Sequence, residues 1–495
     1  MVNADQARQV VCTNCAEFAP PGWRRIDLPG GWALHAHPDA AVTVLRDDPA
    51  APAIRIGHAF NLDAGPNGGG EDLSGTSGAG RFAVIDWPRI LPDAGALLGL
   101  HYGARGDRRA VATSPALAAE AIAGAPVAPD VAGPAHPRLP INYIPAPGTP
   151  FSGIRRLLHD QALDLEAFAV RHRPSPIRPL ASYEAALGVL ADELCRFAEA
   201  LKTRIPGTVY LPLTAGLDSR LIAASFVAAG LPFEAVTLDY VGKPRSDVTV
   251  ARAIARRLGV RHQTIRLAPP DPGLAARFRA HTAGAFADWD NTHIFPGGGY
   301  RYLGRGDAMI VGACFEIGRQ TAGGHCFRDV DLATATGAEV WRNRNGGQPA
   351  PAALAGFLDE WLAWRRAHPL PMDFAATFYL DQRIGGWRAA LEHGYDLLPG
   401  LSLCPANNPR IYSAMITPGL EDQVAGRIQR EAIGLLAPEL VAFPHNPKTL
   451  RCHMKVLRRR VRGELLPALA ARLHVRPARP VAPAPATMDA LPGAH

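Results

Sequence analysis

An α/β fold is predicted from three stretches of this chain. Residues 209–224, V-Y-L-P-L-T-A-G-L-D-S-R-L-I-A-A, run from an apolar strand through a small-residue turn into a helix. Two more strand patterns, at 234–238 and running through Ile265 and Leu267, flank a helix pattern at 248–258. Strands alternating with helices indicate a parallel sheet. Ahead of them, short apolar stretches in residues 1–165 alternate with Pro/Gly/Asp turns, which predicts β-rich layers.

The totals are those of an ordinary globular protein. Of the 495 residues, 47% are hydrophobic and 20% charged, near the average for folded domains, and a chain of this length holds roughly two or three domains. No apolar run reaches the roughly 18 residues of a membrane span. The N-terminal M-V-N-A-D-Q-A-R carries no apolar signal-peptide core. A cytoplasmic protein with no membrane partner is therefore expected. Seven cysteines make no disulfide scaffold in so long a chain, and reduced thiols suit that compartment. Much of the excess behind the net charge of +7 lies near the C-terminus, in the run 455–462. No aromatic residues interleave with its arginines, as single-strand binders require. The run reads as a solvated or phosphate-facing helix, and no nucleic-acid partner is expected.

Taken in order, residues 32–35, 41–45 and 53–57 are short strands between turn residues. The glycine-rich stretch 65–80 is a mobile loop. Strands at 80–86 and 97–102 follow, and Ala112-Thr113-Ser114 opens a helix over 115–122. Cys12 and Cys15 form a C-T-N-C pair, but there is no second C-x-x-C pair to complete a zinc site. Residues 166–182, rich in Arg, His and Pro, form a linker between a first domain at 1–165 and a second at 183–475. The helix expected at 183–202 places Leu187, Leu190, Leu194 and Phe197 on one face.

That helix leads into the turn around which the second domain is organised. Leu213, Thr214, Ala215 and Gly216 precede Asp218 and Ser219 at a helix start. Backbone N–H groups at a helix N-terminus attract anions, and small side chains let a phosphate come close to the backbone. The turn reads as a phosphate cradle. It is not the Walker cradle, because no G-x-x-x-x-G-K-[S/T] string occurs in the chain. Further on, Asp288, Trp289, Asp290, Asn291 and His293 form a polar and aromatic stretch. A strand at 307–312 leaves on Gly312 and enters A-C-F-E-I-G-R, which holds Glu316. Residues 355–440 are helical, with Leu354, Phe357, Leu358, Trp361, Leu362 and Trp364 as an amphipathic stripe. Residues 476–495, rich in Pro and Ala, form a disordered tail.

The string T-A-G-L-D-S, with its following strand ending in T-L, the Ser246-Asp247 helix start and the A-x-x-I-A-x-x-L-G-x-x-H run, resembles the S-G-G-x-D-S loop region of the ATP pyrophosphatase (PP-loop) family, in its asparagine synthetase branch. Residues 80–125, with G-R-F-A, a strand ending in Tyr102 and an S-P-A-L-A-A helix, resemble the glutaminase-type domain of the same enzymes. The resemblance implies an N-terminal αββα Ntn-hydrolase-like sandwich and a C-terminal parallel-sheet PP-loop domain with a helical C-terminal part. It is closest at 207–267 and loosest after 370.

The resemblance further implies ATP and Mg²⁺ as cofactors. Leu213, Thr214, Ala215, Gly216, Asp218, Ser219, Leu238 and Gly312 would bind ATP, and Asp218 and Glu316 would hold the metal. The family's G-E-G-x-D-E string aligns Ala313 with its catalytic Glu and Glu316 with its metal-binding Asp. Arg383 belongs to the D-R helix that closes over the nucleotide, and Lys448, two positions late in register, is the phosphate-neutralising lysine, with Lys455 in reserve. Asp288 and His293 fall where the substrate pocket begins. Position 2 is Val2, where active family glutaminases carry cysteine, so a glutaminase-like fold without glutaminase activity is expected. The implied reaction joins a carboxylate to an amine through an acyl-adenylate, on a small-molecule or peptide substrate. A lactam or macrolactam cyclase related to β-lactam synthetases and lasso-peptide cyclases is the alternative within the family. A catalytically inactive binding or scaffold homologue is the alternative outside catalysis, and a homodimer is compatible with either.

Overall fold

The computed structural model describes residues 6–60, 78–134, 139–240, 245–285, 293–319, 327 and 330–447. Most of the glycine-rich stretch at 65–80, the basic run 455–462 and the tail at 476–495 lie outside them. The unit comprising residues 1–445 holds all the elements described below.

Its first part carries twelve strands among the described residues. They are β1 (Val10–Thr13), β2 (Arg24–Asp27), β3 (Ala33–Ala36), β4 (Val42–Arg46), β5 (Ala53–Phe60), β6 (Ala79–Asp86), β7 (Arg89–Pro92), β8 (His101–Arg105), β9 (Arg108–Ala112), β10 (Arg155–Arg156), β11 (Gln161–Asp164) and β12 (Ala169–His172). One helix, α1 (Pro115–Ala123), joins them, started by Ser114, whose side chain accepts from the N–H of Leu117. The strands form two antiparallel sheets, ordered β10-β8-β9-β1-β3-β2 and β12-β11-β7-β6-β5-β4. Side chains alternate across each strand. Val10 and Cys12 join Leu34, Ile54, Ile56, Ile85 and Leu163 in the core between the sheets. Val11 points the other way and packs with Ala110, Ala112 and Leu117 under α1.

Two expectations are corrected here. The stretch 166–182 is not linker throughout, because Ala169–His172 pairs with Gln161–Asp164 as an edge strand. The strand expected at 97–102 begins only at His101. Residues 93–98 instead turn around the buried Asp93 carboxylate, which accepts from the N–H groups of Gly95, Leu97 and Leu98 at 3.2, 2.7 and 2.9 Å. A carboxylate that gathers three amides competes with a strand ladder for the same donors.

The second part is built on a five-stranded parallel sheet in the order β15-β14-β13-β16-β17. Its elements follow α2 (Tyr183–Arg204): β13 (Val209–Pro212), α3 (Leu217–Ala228), β14 (Glu234–Asp239), α4 (Arg245–Leu258), β15 (His262–Arg266), α5 (Pro272–His281) and β16 (Ala308–Ile310). Then come α6 (Gly337–Arg344), α7 (Ala352–Ala367), α8 (Phe374–Phe378), α9 (Ala389–Tyr395), β17 (Leu401–Leu403), α10 (Pro409–Ile416), α11 (Leu420–Ala425) and α12 (Arg427–Leu436). The whole is a mixed α/β structure, parallel in one sheet and antiparallel in two. The helix expected around Arg383 is present, but Tyr379–Arg388 is wound as a π-helix between α8 and α9. Such wide turns are rare and concentrate at functional sites.

A fully buried ion network holds this π-helix. The Arg365 guanidinium of α7 pairs with Asp160 at 2.6 Å and with Asp381 at 2.7 Å, and all three side chains are 0% exposed. Trp361 Nε1 donates to Asp381 at 2.7 Å. The network ties β11's approach, α7 and the π-helix into one body.

Candidate active site

The middle strand of the parallel sheet, β13, delivers the predicted cradle. Beyond it come Leu213 to Gly216, with Gly216 as the N-cap of α3. Thr237 on β14 donates to the Leu213 carbonyl at 2.8 Å, which fixes the loop to the neighbouring strand. Leu238 is the next residue of β14, opposite Ile265 of β15. The loop is internally ordered: the N–H of Thr214 donates to Ser219 Oγ at 3.1 Å, and the N–H of Gly216 donates to Thr214 Oγ1 at 3.1 Å. Ala215 is fully buried and is not among the residues with positive φ. The methyl it carries in place of a glycine hydrogen is therefore accommodated without backbone strain. Its N–H donates to Asp247 at 3.1 Å.

Gly312 follows β16 and presses against the first turn of α3. A Cβ there would lie 3.1 Å from the Ser219 nitrogen and 3.2 Å from Asp218 Cβ. The lack of a side chain at 312 is what lets the two loops meet. Two residues on, Cys314 is buried and holds a left-handed backbone, φ +74°. Glu316 sits on the single 3₁₀ turn Phe315–Gly318 that follows.

Asp218 and Glu316 form the electrostatic centre. Burial first, and then the charge of Glu316, push the Asp218 carboxyl up to about 7, against the opposing effects of Arg319 and Gln429. Arg319 pairs with one Asp218 oxygen, and Gln429 of α12 donates to the other at 2.5 Å. Glu316 accepts from the Tyr379 hydroxyl at 2.6 Å. Burial and Glu316 hold that phenol well above its usual range, so it stays a donor.

Beside Glu316 opens a cleft of about 450 Å³, lined by Val311 to Cys314, Glu316, Arg344, Tyr379, Arg383, Ile384, Trp387 and Arg388. Three guanidinium groups face one carboxylate in that lining. Arg383 stacks 4.2 Å over the Trp387 ring, and Arg388 pairs with the buried Glu392. The ten-residue π-helix thus supplies Tyr379, Arg383, Trp387 and Arg388. Composition and spacing gave no signal for Tyr379, Trp387, Arg388 or Arg344. Tyr379, Arg383 and Trp387, spaced four apart, would share one face of an ordinary helix, and it is Arg388 that the wider winding adds to that face.

Among the expected site residues, Leu213 to Gly216, Asp218, Ser219, Leu238 and Gly312 gather at the ends of β13, β14 and β16, and Gly312, Glu316 and Arg383 line the adjoining cleft. His293 does not line it. It opens a turn, its carbonyl accepting from the Gly297 N–H at 2.8 Å. Asp288, Lys448 and Lys455 lie outside the described residues. Arg220 of α3 donates to the carbonyls of Phe443 and Pro444, each at 2.8 Å, and to that of Ala215 at 3.3 Å. It joins the C-terminal segment to the cradle, a role that sequence alone did not suggest. Cys12 on β1 and Cys15, two residues past its end, are both buried, and burial pushes the Cys12 thiol far up.

No protein-family model matches the chain, and no curated protein matches it. Among solved structures, it is similar to glutamine-dependent NAD+ synthetase from Acinetobacter baumannii, solved with ADP, at 20% identity and TM-score 0.16 over 28% of this chain and 25% of that one. NMN synthetase from Francisella tularensis matches at 12% identity and TM-score 0.19 over 54% of this chain and 99% of that one. Glutamine phosphoribosylpyrophosphate amidotransferase from B. subtilis, complexed with ADP and GMP, matches at 11% identity and TM-score 0.22 over 72% and 87%. This chain spans about a quarter of the first of these structures. The TM-scores are too low for any of them to set its fold or activity.

Proposed function

We propose that the chain is an ATP-dependent ligase that activates a carboxylate as its acyl-adenylate and transfers it to an amine. One observation carries the reading. A small-residue loop at the N-terminus of α3, between two parallel strands, meets Gly312 and abuts a cleft rich in arginine. Helix N-termini at the carboxyl ends of parallel strands bind phosphates. The guanidinium-lined cleft suits the carboxylate to be activated. The left-handed backbone at Cys314 supports the register as well, since the family's G-E-G-x-D-E string has glycine there.

Mg²⁺ fits this site. Asp218 is a buried carboxyl raised to about 7 partly by Glu316, and a divalent cation would relieve that repulsion with two hard oxygen ligands. The ion would neutralise phosphate charge. In the reaction, a carboxylate oxygen of the substrate attacks the α-phosphorus and pyrophosphate leaves. Thr214, Gly216 and Ser219 hold the departing phosphates, and Arg383 steadies the acyl group. The amine nitrogen then attacks the acyl carbon and AMP leaves. Lys448 is retained in this proposal as the cation on the phosphates. Glu316 is the one carboxylate among the described residues lining the cleft, and with Ala313 at the family's catalytic Glu the second half-reaction takes its base from elsewhere. The buried Cys12 and Cys15 offer no glutaminase nucleophile, and the amine is proposed to be free ammonia or part of the substrate.

A non-catalytic nucleotide binder is the second reading. It is favoured by Ala313 at the family's catalytic Glu and by Arg319 and Gln429 already holding Asp218. ATP–pyrophosphate exchange across a panel of amino acids, acidic metabolites and short peptides separates the two. Carboxylate-dependent exchange with AMP release supports the ligase. Mg·ATP binding without exchange leaves the binder, and neither binding nor exchange removes both.

A further inference from the structure

Away from the cleft, α5 ends on His281, α9 carries His393, and Asp396 follows α9 by one residue. One ring nitrogen of each histidine and one carboxylate oxygen lie within 4.8 Å of one another, and all three residues are buried. The two imidazoles stack with centroids 4.5 Å apart and planes 14° from parallel. His393 Nε2 lies 2.9 Å from the His281 carbonyl, which fixes the tautomer and turns Nδ1 toward Asp396. At 3.8 Å from Asp396, that Nδ1 has no hydrogen-bond partner, although His393 is 5% exposed. A buried polar nitrogen left this way is normally destabilising.

We propose that His281, His393 and Asp396 form a binding site for a divalent transition metal, of which zinc is the reference. Two imidazoles and a carboxylate are a borderline donor set that suits Zn²⁺ and disfavours Mg²⁺. The surroundings fit ligands held ready. Arg81 of β6 binds both Asp396 oxygens, at 2.5 and 2.9 Å, and Gln9 donates to one of them at 2.8 Å. Outer partners of this kind orient ligating carboxylates. The ion would tie α5 and α9 of the second part to β6 of the first. It is independent of the ligase reading and takes no part in it.

The test uses the full chain, stripped with chelator and re-equilibrated with Zn²⁺ or Co²⁺. The expected result is one ion per chain after gel filtration, a rise in melting temperature, and cobalt-shifted imidazole ring signals by NMR. His393→Gln is expected to weaken zinc binding by about tenfold or more, since even outer-shell changes do so. Wild-type protein that elutes without metal overturns the site. So does cobalt-bound protein with no shifted imidazole signals, a readout that stands even if the variant fails to fold. Equal affinity in His393→Gln places the ion elsewhere and overturns it too.

Discussion

Arg319 donates its guanidinium to the Asp218 carboxylate, which Gln429 holds from the other side at 2.5 Å. Even so, burial and Glu316 keep that carboxyl at about 7. Between its ordinary value of 3.8 and about 7, the folded chain therefore keeps a proton that the unfolded chain has released. Folding stability from this group is intact below about pH 4, falls as pH rises to about 7, and is flat above. The loss is on the order of a few kcal/mol. Asp218→Asn removes that dependence. Thermal melts without Mg²⁺ should show the variant matching wild type near pH 4 and exceeding it at pH 8. A constant difference across that range would contradict the assignment. In the ligase assay, the same variant is expected to lose at least about a hundredfold in exchange rate.

Gly312 tests the contact between the two loops. Gly312→Val places side-chain atoms where a Cβ alone already stands 3.1 Å from the Ser219 nitrogen. Overpacking of this kind costs about 1–3 kcal/mol. Calorimetry is expected to show a lower melting point together with weakened ATP binding. If ATP affinity stays unchanged while stability falls, the nucleotide does not lie over α3.

The Tyr379–Glu316 hydrogen bond, 2.6 Å long, joins the π-helix to the turn after β16. Tyr379→Phe leaves the carboxylate without that donor at a cost of about 1–3 kcal/mol. Arg383→Lys keeps the charge at that position but loses the stacking on Trp387. In the proposed reaction, Arg383→Lys should raise the KM for the carboxylate substrate more than tenfold with the KM for ATP little changed. Equal effects on both would remove Arg383 from the acyl side of the site.

The cradle was legible because its chemistry is local. Val209 to Ser219 reads as strand, small-residue turn and helix from side-chain size and periodicity alone, and the structure keeps that order. The cleft was less legible, because Arg388 joins Tyr379, Arg383 and Trp387 there through π-winding, which leaves no periodic mark in ten residues. Asp93 illustrates a different limit. One carboxylate collects backbone donors at 93–98 and delays the strand to His101, while the apolar pattern alone reads as continuous. Arg220 and Arg319 were silent for a third reason: their partners lie far along the chain, at Phe443 and Asp218.

The Arg365 network sets the last prediction. Its guanidinium and the carboxylates of Asp160 and Asp381 are each 0% exposed, so removing the cation leaves two buried carboxylates with His159 and the indole N–H groups of Trp361 and Trp364 beside them. Arg365→Met is expected to cost about 3–5 kcal/mol. Neutralising the carboxylates as well, in Arg365→Met with Asp160→Asn and Asp381→Asn, removes the uncompensated charge. The triple variant should therefore be more stable than the single one, a strong departure from additivity for groups in direct contact. Denaturant melts of all three single variants and the triple variant give the coupling. Additive losses would mean the three groups do not act as one unit. Because Asp381 lies on the π-helix, the single variants should also blunt substrate binding in the arginine cleft, and the triple variant should restore part of it.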